Sequence, residues 1–322
     1  MRKGIAVAGS ILVDHINEIA AYPAVGELTK ILGFRNAVGG LVPNVGIDLK
    51  TLMPHLPIYA IGPIGDDADG DFVLSELSKS GLDTTGVKKA EGRTSFTDVM
   101  SIVGGQRTFF THAGVCAEFG KDSIDLDNLN AAMLHLGYFL LLDRIDAGDG
   151  VEILKKASAL GIKTSIDLVS ENSDRYKLVI PALAYTDNLI INETEAGNLV
   201  GMTPSPENLR TICEKLMELG VRERVILHMP DRGVCLSKNG FTTLPSFDPP
   251  AGFIKGKTGA GDAFCAGALV GIYENLSDEE ILDLGSAAAI ASLSAPDAVS
   301  GMRSKDEVIA LCRDMARTAL RA

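Results

Sequence analysis

The sequence of 322 residues contains no tryptophan, no stretch of 18 apolar residues and no basic run longer than the pairs Lys88-Lys89 and Lys155-Lys156. Without a long apolar stretch, we expect no transmembrane helix. Without a basic patch, and with a net charge of −12, the chain is not expected to bind nucleic acid or an anionic membrane. Any phosphate group that it binds must be held locally, for example by backbone N–H groups.

Cysteine is sparse, and its spacing forms no recognisable pattern. The cysteines are Cys116, Cys213, Cys235, Cys265 and Cys312. Their number is odd and no two form a C-x-x-C pair, so the sequence predicts neither a zinc site nor a disulfide framework. The first apolar run meets Asp14 too early for a signal peptide, and we expect a cytoplasmic protein in a reducing compartment.

The order of the predicted elements indicates an α/β fold. Strands are predicted at residues 4–8, 58–61, 138–142, 163–168, 188–191 and 225–228, and helices at 44–53, 71–80, 148–160, 193–200, 205–219, 260–274 and 278–294. This alternation favours a parallel sheet with helices on both faces. Two β-rich segments, residues 11–36 and 93–112, interrupt this alternation. The second resembles a hairpin closed by Gly104-Gly105. Together the two segments could form a small projecting sheet.

The strongest chemical motif is Thr-Gly-Ala-Gly-Asp-Ala-Phe at residues 258–264. Gly259, Ala260 and Gly261 leave backbone N–H groups accessible at the start of a helix, where the partial positive charge favours a transferring phosphoryl group. Asp262 at the same point could accept a proton from a hydroxyl group. The alternative is a capped helix after a flexible turn.

Two other nucleotide-binding motifs are excluded. Residues 252–258 resemble a P-loop, but only three residues separate the glycines where four are needed, and the proline-rich segment before them is a poor strand. The first strand is followed by Gly9-Ser10-Ile11-Leu12, which lacks the G-x-G-x-x-G pattern of a Rossmann fold.

Ordered landmarks along nearly the whole chain resemble the ribokinase-like (PfkB) family of sugar and nucleoside kinases. They are Gly9 to Asp14, Gly39-Gly40-x-x-x-Asn44, Gly62-x-x-Gly65-x-Asp67-x-x-Gly70, Asn192-x-x-Glu195, Gly233 after a strand, and Gly259-Ala260-Gly261-Asp262. Each is weak alone, whereas their order and spacing together are specific. The resemblance implies a three-layer α/β/α sandwich with a mostly parallel sheet. It further implies a single domain, residues 1–322, in which segments 11–36 and 93–112 form a small β-sheet lid.

The resemblance also implies a catalytic role for the glycine-rich motif. Asp262 would take the proton of a substrate hydroxyl, which then attacks the γ-phosphate of ATP. Gly259, Ala260 and Gly261 would stabilise the charge on the transferring group.

The resemblance implies candidate substrate-binding residues near the first strand and on the lid. They are Asp14, Gly39, Gly40, Asn44, Arg107 and Cys116. A polyol needs such groups because each hydroxyl both donates and accepts a hydrogen bond. The alternatives are that Asp14 and Asn44 are caps, and that Cys116 is an inert buried thiol.

Candidate nucleotide-binding residues are Asn192, His228, Gly233 and Asp167. Asn192 and Glu195 resemble the element of the family that holds Mg²⁺ through its waters, a role that suits the preference of Mg²⁺ for carboxylate and water oxygens. The alternatives are an ordinary helix cap for Asn192 and Glu195, and a structural role for His228.

One departure from the family pattern concerns a monovalent cation. Gly256 stands where many relatives have an aspartate that helps to hold such an ion, so potassium activation is in doubt. Our hypothesis is that the ammonium group of Lys257 or Lys255, at the end of a long side chain, replaces the cation. Val42 and Pro43 also depart from the pattern beside Asn44, which argues against ribose as the substrate.

These observations predict an ATP- and Mg²⁺-dependent kinase that phosphorylates a sugar or related polyol. A nucleoside kinase of the same fold is the first alternative, which the aromatic content of 5% weakly disfavours. A catalytically idle sugar-binding protein is the second. Because a lid sheet has exposed edges that two subunits could cover, a homodimer formed through the lid is a further expectation.

Overall fold

A computed structural model describes residues 2–102, 106–171 and 173–320, so the Gly104-Gly105 turn lies outside the described residues. The strands are β1 (Ile5–Ala8), β2 (Leu12–Ile19), β3 (Ile31–Gly39), β4 (Ile58–Gly65), β5 (Asp83–Ala90), β6 (Ser95–Ile102), β7 (Arg107–His112), β8 (Met133–Phe139), β9 (Lys163–Leu168), β10 (Asn188–Asn192), β11 (Arg224–His228), β12 (Arg232–Ser237), β13 (Gly240–Pro245), β14 (Phe247–Asp248) and β15 (Ala316–Arg317). The helices are α1 (Leu41–Leu52), α2 (Ala68–Lys79), α3 (Gly150–Ala159), α4 (Ile180–Leu183), α5 (Glu193–Val200), α6 (Leu209–Glu218), α7 (Ala260–Tyr273), α8 (Asp278–Leu293) and α9 (Lys305–Cys312).

The central sheet has the strand order β13-β12-β11-β10-β9-β8-β1-β4-β5. Every neighbouring pair from β11 to β5 is parallel, and only β12 and β13 are antiparallel additions among the described strands. Since parallel strands end at the same edge of a sheet, the side chains that follow β8, β9, β10 and β11 are brought to one side.

Helices cover both faces of this sheet. Because side chains alternate along a strand, Ile5 and Val7 of β1 join one buried core with α1, α7 and α8, whereas Ala6 and Ala8 join another with α3 and α6. The predicted three-layer α/β/α fold with a mostly parallel sheet is confirmed. No helix among the described residues combines the length and apolar character needed to cross a bilayer.

A second sheet has the order β3-β2-β6-β7 and is built from the two β-rich segments that interrupt the alternation. We call these four strands the lid sheet. β2 pairs with β3 antiparallel and with β6 parallel, and β6 pairs with β7 antiparallel. The outer strands β3 and β7 expose large apolar side chains, namely Ile31, Leu32, Phe34, Phe109 and Phe110.

Some predicted elements were misplaced or missed. The strand expected at residues 138–142 is wrong, because β8 spans Met133–Phe139 and positive φ angles of 56° and 76° at Tyr138 and Leu140 turn the chain there. The half-exposed edge strand β5 was missed, since its polar sequence lacks apolar alternation. Helix α1 begins three residues earlier than expected, with Pro43 in its first turn.

Candidate active site

Two adjoining cavities lie at the carboxyl ends of the parallel strands. The first, of about 540 Å³, is the lid-side cavity; residues of the lid sheet, the start of α1 and the start of α7 line it. The second, of about 570 Å³, is the α8-side cavity, with Ala289, Ile290 and Leu293 in its apolar wall. The residues common to both are Asn192, His228, Lys257, Ala260 and Gly261. A third cavity of about 610 Å³ shares no described lining residue with either.

Asp262 lies in the wall of the lid-side cavity, in the first turn of α7. Its Oδ2 accepts a hydrogen bond of 2.9 Å from Asn44 Nδ2, and the hydroxyl of Tyr138 lies 3.0 Å from both carboxylate oxygens. Burial, and next the charge of Asp167, raises the pKa of Asp262 to about 7. The group can therefore change its protonation state near neutral pH while two neighbours hold it in place.

The helix start beside Asp262 depends on Gly259. This residue has φ +80°, and a Cβ atom there would lie 2.6 Å from the Cα of Ala298, so a side chain would meet both strain and a clash. The first N–H groups of a helix have no intrahelical acceptor, which leaves Gly261 and Asp262 to present theirs outward. The start of α7 can therefore stabilise an anion at the boundary of the two cavities.

The predicted substrate residues of β2 and of the start of α1 come together in the lid-side cavity. Asp14, Gly40 and Asn44 line it, and burial raises the pKa of Asp14 to about 6. Gly39 lies behind Asp14, where a Cβ atom would approach Asp14 Oδ2 to 2.9 Å. Among the described residues, the buried Oδ1 of Asn44 has no hydrogen-bond partner.

Asn192 and Glu195 form a reciprocal cap at the start of α5. Asn192 Oδ1 accepts the Glu195 N–H at 2.9 Å, and Glu195 Oε2 accepts the Asn192 N–H at 3.0 Å. Ser170 donates to Glu195 Oε1 at 2.6 Å. Both residues line the lid-side cavity, and burial raises the pKa of Glu195 to about 7. The cap that the sequence left as an alternative is therefore present, and both side chains face the cavity.

The pair also fits a magnesium ion held through water. Each oxygen of Glu195 already accepts one hydrogen bond, which leaves lone pairs for the waters of a hydrated ion rather than for direct ligation. A nearby dication would favour the ionised form of this buried carboxyl group.

Asp167 lies near the end of β9 and His228 is the last residue of β11, with β10 between these two strands. Asp167 Oδ1 accepts the backbone N–H of Tyr138 at 2.6 Å. Burial lowers the pKa of His228 to about 4, so its ring is neutral at pH 7; it lies against Phe264 at 5.1 Å between centroids. A Cβ atom on Gly261 would lie 3.3 Å from His228 Cε1, which shows how closely the ring approaches the start of α7.

Besides Gly39, three predicted residues lie outside the cavity linings. Cys116 is buried, with its Sγ 3.4 Å from the backbone oxygen of Ile11. Gly233 is buried in β12, and a Cβ atom there would approach Leu282 to 3.2 Å. Arg107 of the lid sheet donates from Nη1 to Thr258 Oγ1 at 3.0 Å and so connects the lid to the loop before α7.

Sequence reasoning missed Tyr138 as a site residue. It is 124 positions from Asp262 along the chain and carries no motif of its own. Tyr138 has a positive φ near the end of β8, a conformation that non-glycine residues rarely adopt. No local sequence pattern therefore indicates it.

This fold is shared with known kinases. The structure superimposes on Arabidopsis thaliana ribokinase complexed with ribose and ATP with a TM-score of 0.84 and 24% identity, covering 97% of this chain and 99% of that one. A Methanocaldococcus jannaschii nucleoside kinase of the ribokinase family matches with a TM-score of 0.77 and 18% identity, covering 97% and 99%. The architecture is therefore that of ribokinase-like small-molecule kinases.

Sequence comparison shows to which family of kinases the chain belongs. The Arabidopsis thaliana ribokinase is 26% identical over 314 residues, which cover 96% of this chain and 81% of the relative. The sequence model for the pfkB family carbohydrate kinases matches residues 2–305, and the chain belongs to this family. It is a carbohydrate kinase, an enzyme that phosphorylates sugars with ATP, and the resemblance stated from its motifs is confirmed.

Proposed function

We propose that Asp262 is the general base that transfers the proton from a sugar hydroxyl during phosphorylation. The observation that carries this proposal is its carboxyl group, with a pKa near 7, beside the start of α7 where the two cavities meet. The hydroxyl oxygen attacks the γ-phosphorus of ATP, the bond to the β-phosphate oxygen breaks, and ADP leaves. The backbone N–H groups of Gly261 and Asp262 stabilise the charge of the transferring phosphoryl group, and Gly259 sets the turn before them. The N–H of Ala260, also predicted for this role, already donates to the Lys257 oxygen at 3.4 Å.

ATP occupies the α8-side cavity in this proposal. Its apolar wall, with Ala289, Ile290 and Leu293, suits an adenine ring, and its boundary with the lid-side cavity directs the phosphates toward Asp262. Asn192 and His228, which line both cavities, are the proposed nucleotide contacts, with Asp167 beside them. Gly233 contributes through packing in β12 rather than through the cavity wall.

Glu195 and Asn192 are proposed to hold Mg²⁺ through water. When bound, the ion neutralises part of the phosphate charge. The chain's own contribution is the hydrogen-bonded cap with Ser170, which fixes the orientation of the Glu195 carboxylate toward the cavity.

The sugar occupies the lid-side cavity, with its hydroxyls on Asp14, Gly40 and Asn44. A carboxylate and an amide together both accept and donate, as a polyol requires. Arg107 connects the lid to the loop before α7, an arrangement suited to closing the cavity and excluding water during phosphoryl transfer. Val42 is fully buried in the core, so its identity gives no information about ribose.

A nucleoside kinase is the second candidate function. Phe109 of the lid sheet lines the lid-side cavity and leaves 60% of its surface exposed, so a base could stack on it. A catalytically idle binding protein is disfavoured by the combination of Asp262, Asn192 and Glu195 around one cavity.

ADP release over a panel of sugars and nucleosides tests the proposed function. We expect turnover with a sugar and little or none with nucleosides, because the lid-side cavity offers polar groups for hydroxyls but, among its described lining residues, only Phe109 as an exposed aromatic ring for a base. Turnover restricted to nucleosides would favour the second candidate. Binding of a sugar without any turnover would contradict the kinase proposal.

The same panel, run in potassium chloride and in choline chloride, tests the role of Lys257. A Cβ atom on Gly256 would lie 2.8 Å from the backbone oxygen of Ala295, so the aspartate of many relatives does not fit there without a shift. Lys255 donates to the Gly252 oxygen at 2.9 Å, whereas Lys257 lines both cavities. We therefore propose that Lys257 supplies the positive charge and expect similar rates in both salts; a strong potassium requirement would contradict this.

We also propose that the lid sheet forms a homodimer. Its edge strand β3 exposes Ile31, Leu32 and Phe34, with 66% of Phe34 accessible. Sedimentation equilibrium at micromolar concentration is expected to show a dimer that Phe34→Asp dissociates. The control Ile309→Asp, an exposed apolar position on α9, should leave the assembly unchanged. A monomeric wild-type protein would contradict the proposal.

A further inference from the structure

Beneath the lid-side cavity, three side chains with metal-binding atoms meet in the interior. His135 lies in β8, Asp167 near the end of β9 and Cys265 in α7, and all three are buried. Their donor atoms lie within 4.8 Å of one another, and no other such group of three occurs in the part of the chain that the structure describes. The sequence alone predicts no zinc site, because these residues are far apart along the chain.

We propose that His135, Asp167 and Cys265 form a binding site for a divalent ion of the zinc class. His135 Nε2 lies 3.4 Å from Asp167 Oδ2 and 3.5 Å from Cys265 Sγ. With metal bonds of about 2.0–2.3 Å, the edges of a tetrahedral site joining these atom types are about 3.3–3.6 Å long. The two measured separations therefore match two edges of such a site, and the donor atoms of Asp167 and Cys265 lie within 4.8 Å of each other. Imidazole, carboxylate and thiolate are ligands that zinc accepts.

The groups around the triad orient its donor atoms. His135 Nδ1 is 3.0 Å from Ser165 Oγ, which leaves Nε2 to face the other two ligands. Asp167 Oδ1 is occupied by the backbone N–H of Tyr138 at 2.6 Å, which leaves Oδ2 on the side of His135. Hydrogen bonds of this kind to the far atoms of the ligands are a regular feature of metal sites.

The triad also has an access route and an open fourth position. Asp167 and Cys265 line the lid-side cavity, so an ion can enter from it and a water can complete the coordination. Binding displaces the thiol proton of Cys265 to solvent, because the thiolate is the ligand. Its three ligands differ from the proposed magnesium ligands Asn192 and Glu195, whose oxygen and amide groups suit a harder ion, although Asp167 lines the same cavity as that pair.

Titration of the purified protein with Co²⁺, a spectroscopic probe for such sites, tests the proposal without reference to kinase activity. We expect one equivalent to produce a near-ultraviolet thiolate-to-cobalt band together with the strong visible bands of four-coordinate cobalt. Added Zn²⁺ should remove both. Cobalt held only by exposed carboxylates is six-coordinate and lacks the thiolate band, and that result for the wild-type protein would overturn the proposal.

Variants identify the ligands. Cys265→Ser should lose the thiolate band, and His135→Gln should bind Co²⁺ at least tenfold more weakly. Cys235→Ser, a buried cysteine of β12, is the matched control and should keep the full spectrum. A second variant covers the case in which Cys265→Ser does not fold. It keeps Cys265 and replaces the four other cysteines by serine, and it should retain the thiolate band. Loss of the band there, with the fold intact by circular dichroism, would also overturn the proposal.

Discussion

Replacement of Asp262 by asparagine is expected to lower kcat by about 10²- to 10⁴-fold, the usual contribution of a general base. The amide cannot take a proton from the substrate hydroxyl at neutral pH. It is close in size to the carboxyl group and occupies the same place beside Asn44 and Tyr138, so the fold should persist. Steady-state ATP turnover with the preferred sugar measures the effect, and a near-normal kcat would refute the assignment.

The pH dependence of kcat/KM provides a second test of the role of Asp262. Only the carboxylate form of Asp262 accepts a proton, and its pKa is about 7, so wild-type kcat/KM should be full above that pH and fall below it. Tyr138→Phe removes a donor that stabilises the carboxylate and should move this limb to higher pH. Tyr59→Phe, remote from both cavities, is the matched control. If Tyr138→Phe does not shift the fall in kcat/KM, the hydrogen bond from Tyr138 does not stabilise the Asp262 carboxylate.

Replacement of Asp48 by alanine is expected to stabilise the protein at pH 7 by about 1–3 kcal/mol, the cost of burying a polar group without a hydrogen bond. Asp48 is fully buried in α1, which packs against α7. Neither of its carboxyl oxygens has a hydrogen-bond partner among the described residues. Burial, followed by the charges of Asp262 and Asp297, raises its pKa well above the usual value. Urea unfolding of both proteins measures the difference.

The stabilisation by Asp48→Ala should increase with pH. A folded-state pKa above 3.8 means that the folded wild type holds a proton that the unfolded chain releases. The stability that this group contributes is therefore present at low pH and lost as pH rises toward the folded-state pKa. The advantage of the variant should grow by about 1.4 kcal/mol per pH unit over that window. The control is Asp174→Asn, at an exposed position, which should show no such trend. A stability difference for Asp48→Ala that does not change with pH would contradict the explanation.

Local sequence patterns predicted most of the fold. Helices α7 and α8 and strands β9 and β11 lie close to where apolar periodicity indicates them, because each is long or strongly apolar. The strand β8 was displaced, since its end is set by positive φ angles at Tyr138 and Leu140 that only packing imposes. The polar edge strand β5 could not be found, because its pairing with β4 supplies the order that its composition lacks.

Residues that are close together or in a fixed order along the chain encode the family, the α/β architecture and the glycine-rich helix start at residues 259–262. Which distant groups meet follows instead from how the strands and helices pack. Tyr138 reaches Asp262, and His135 meets Asp167 and Cys265, because parallel strands end at a common edge and α7 packs across them. The tertiary structure also decided the electrostatics, since the raised pKa of Asp262 arises from burial and a neighbouring carboxylate that spacing along the chain does not specify.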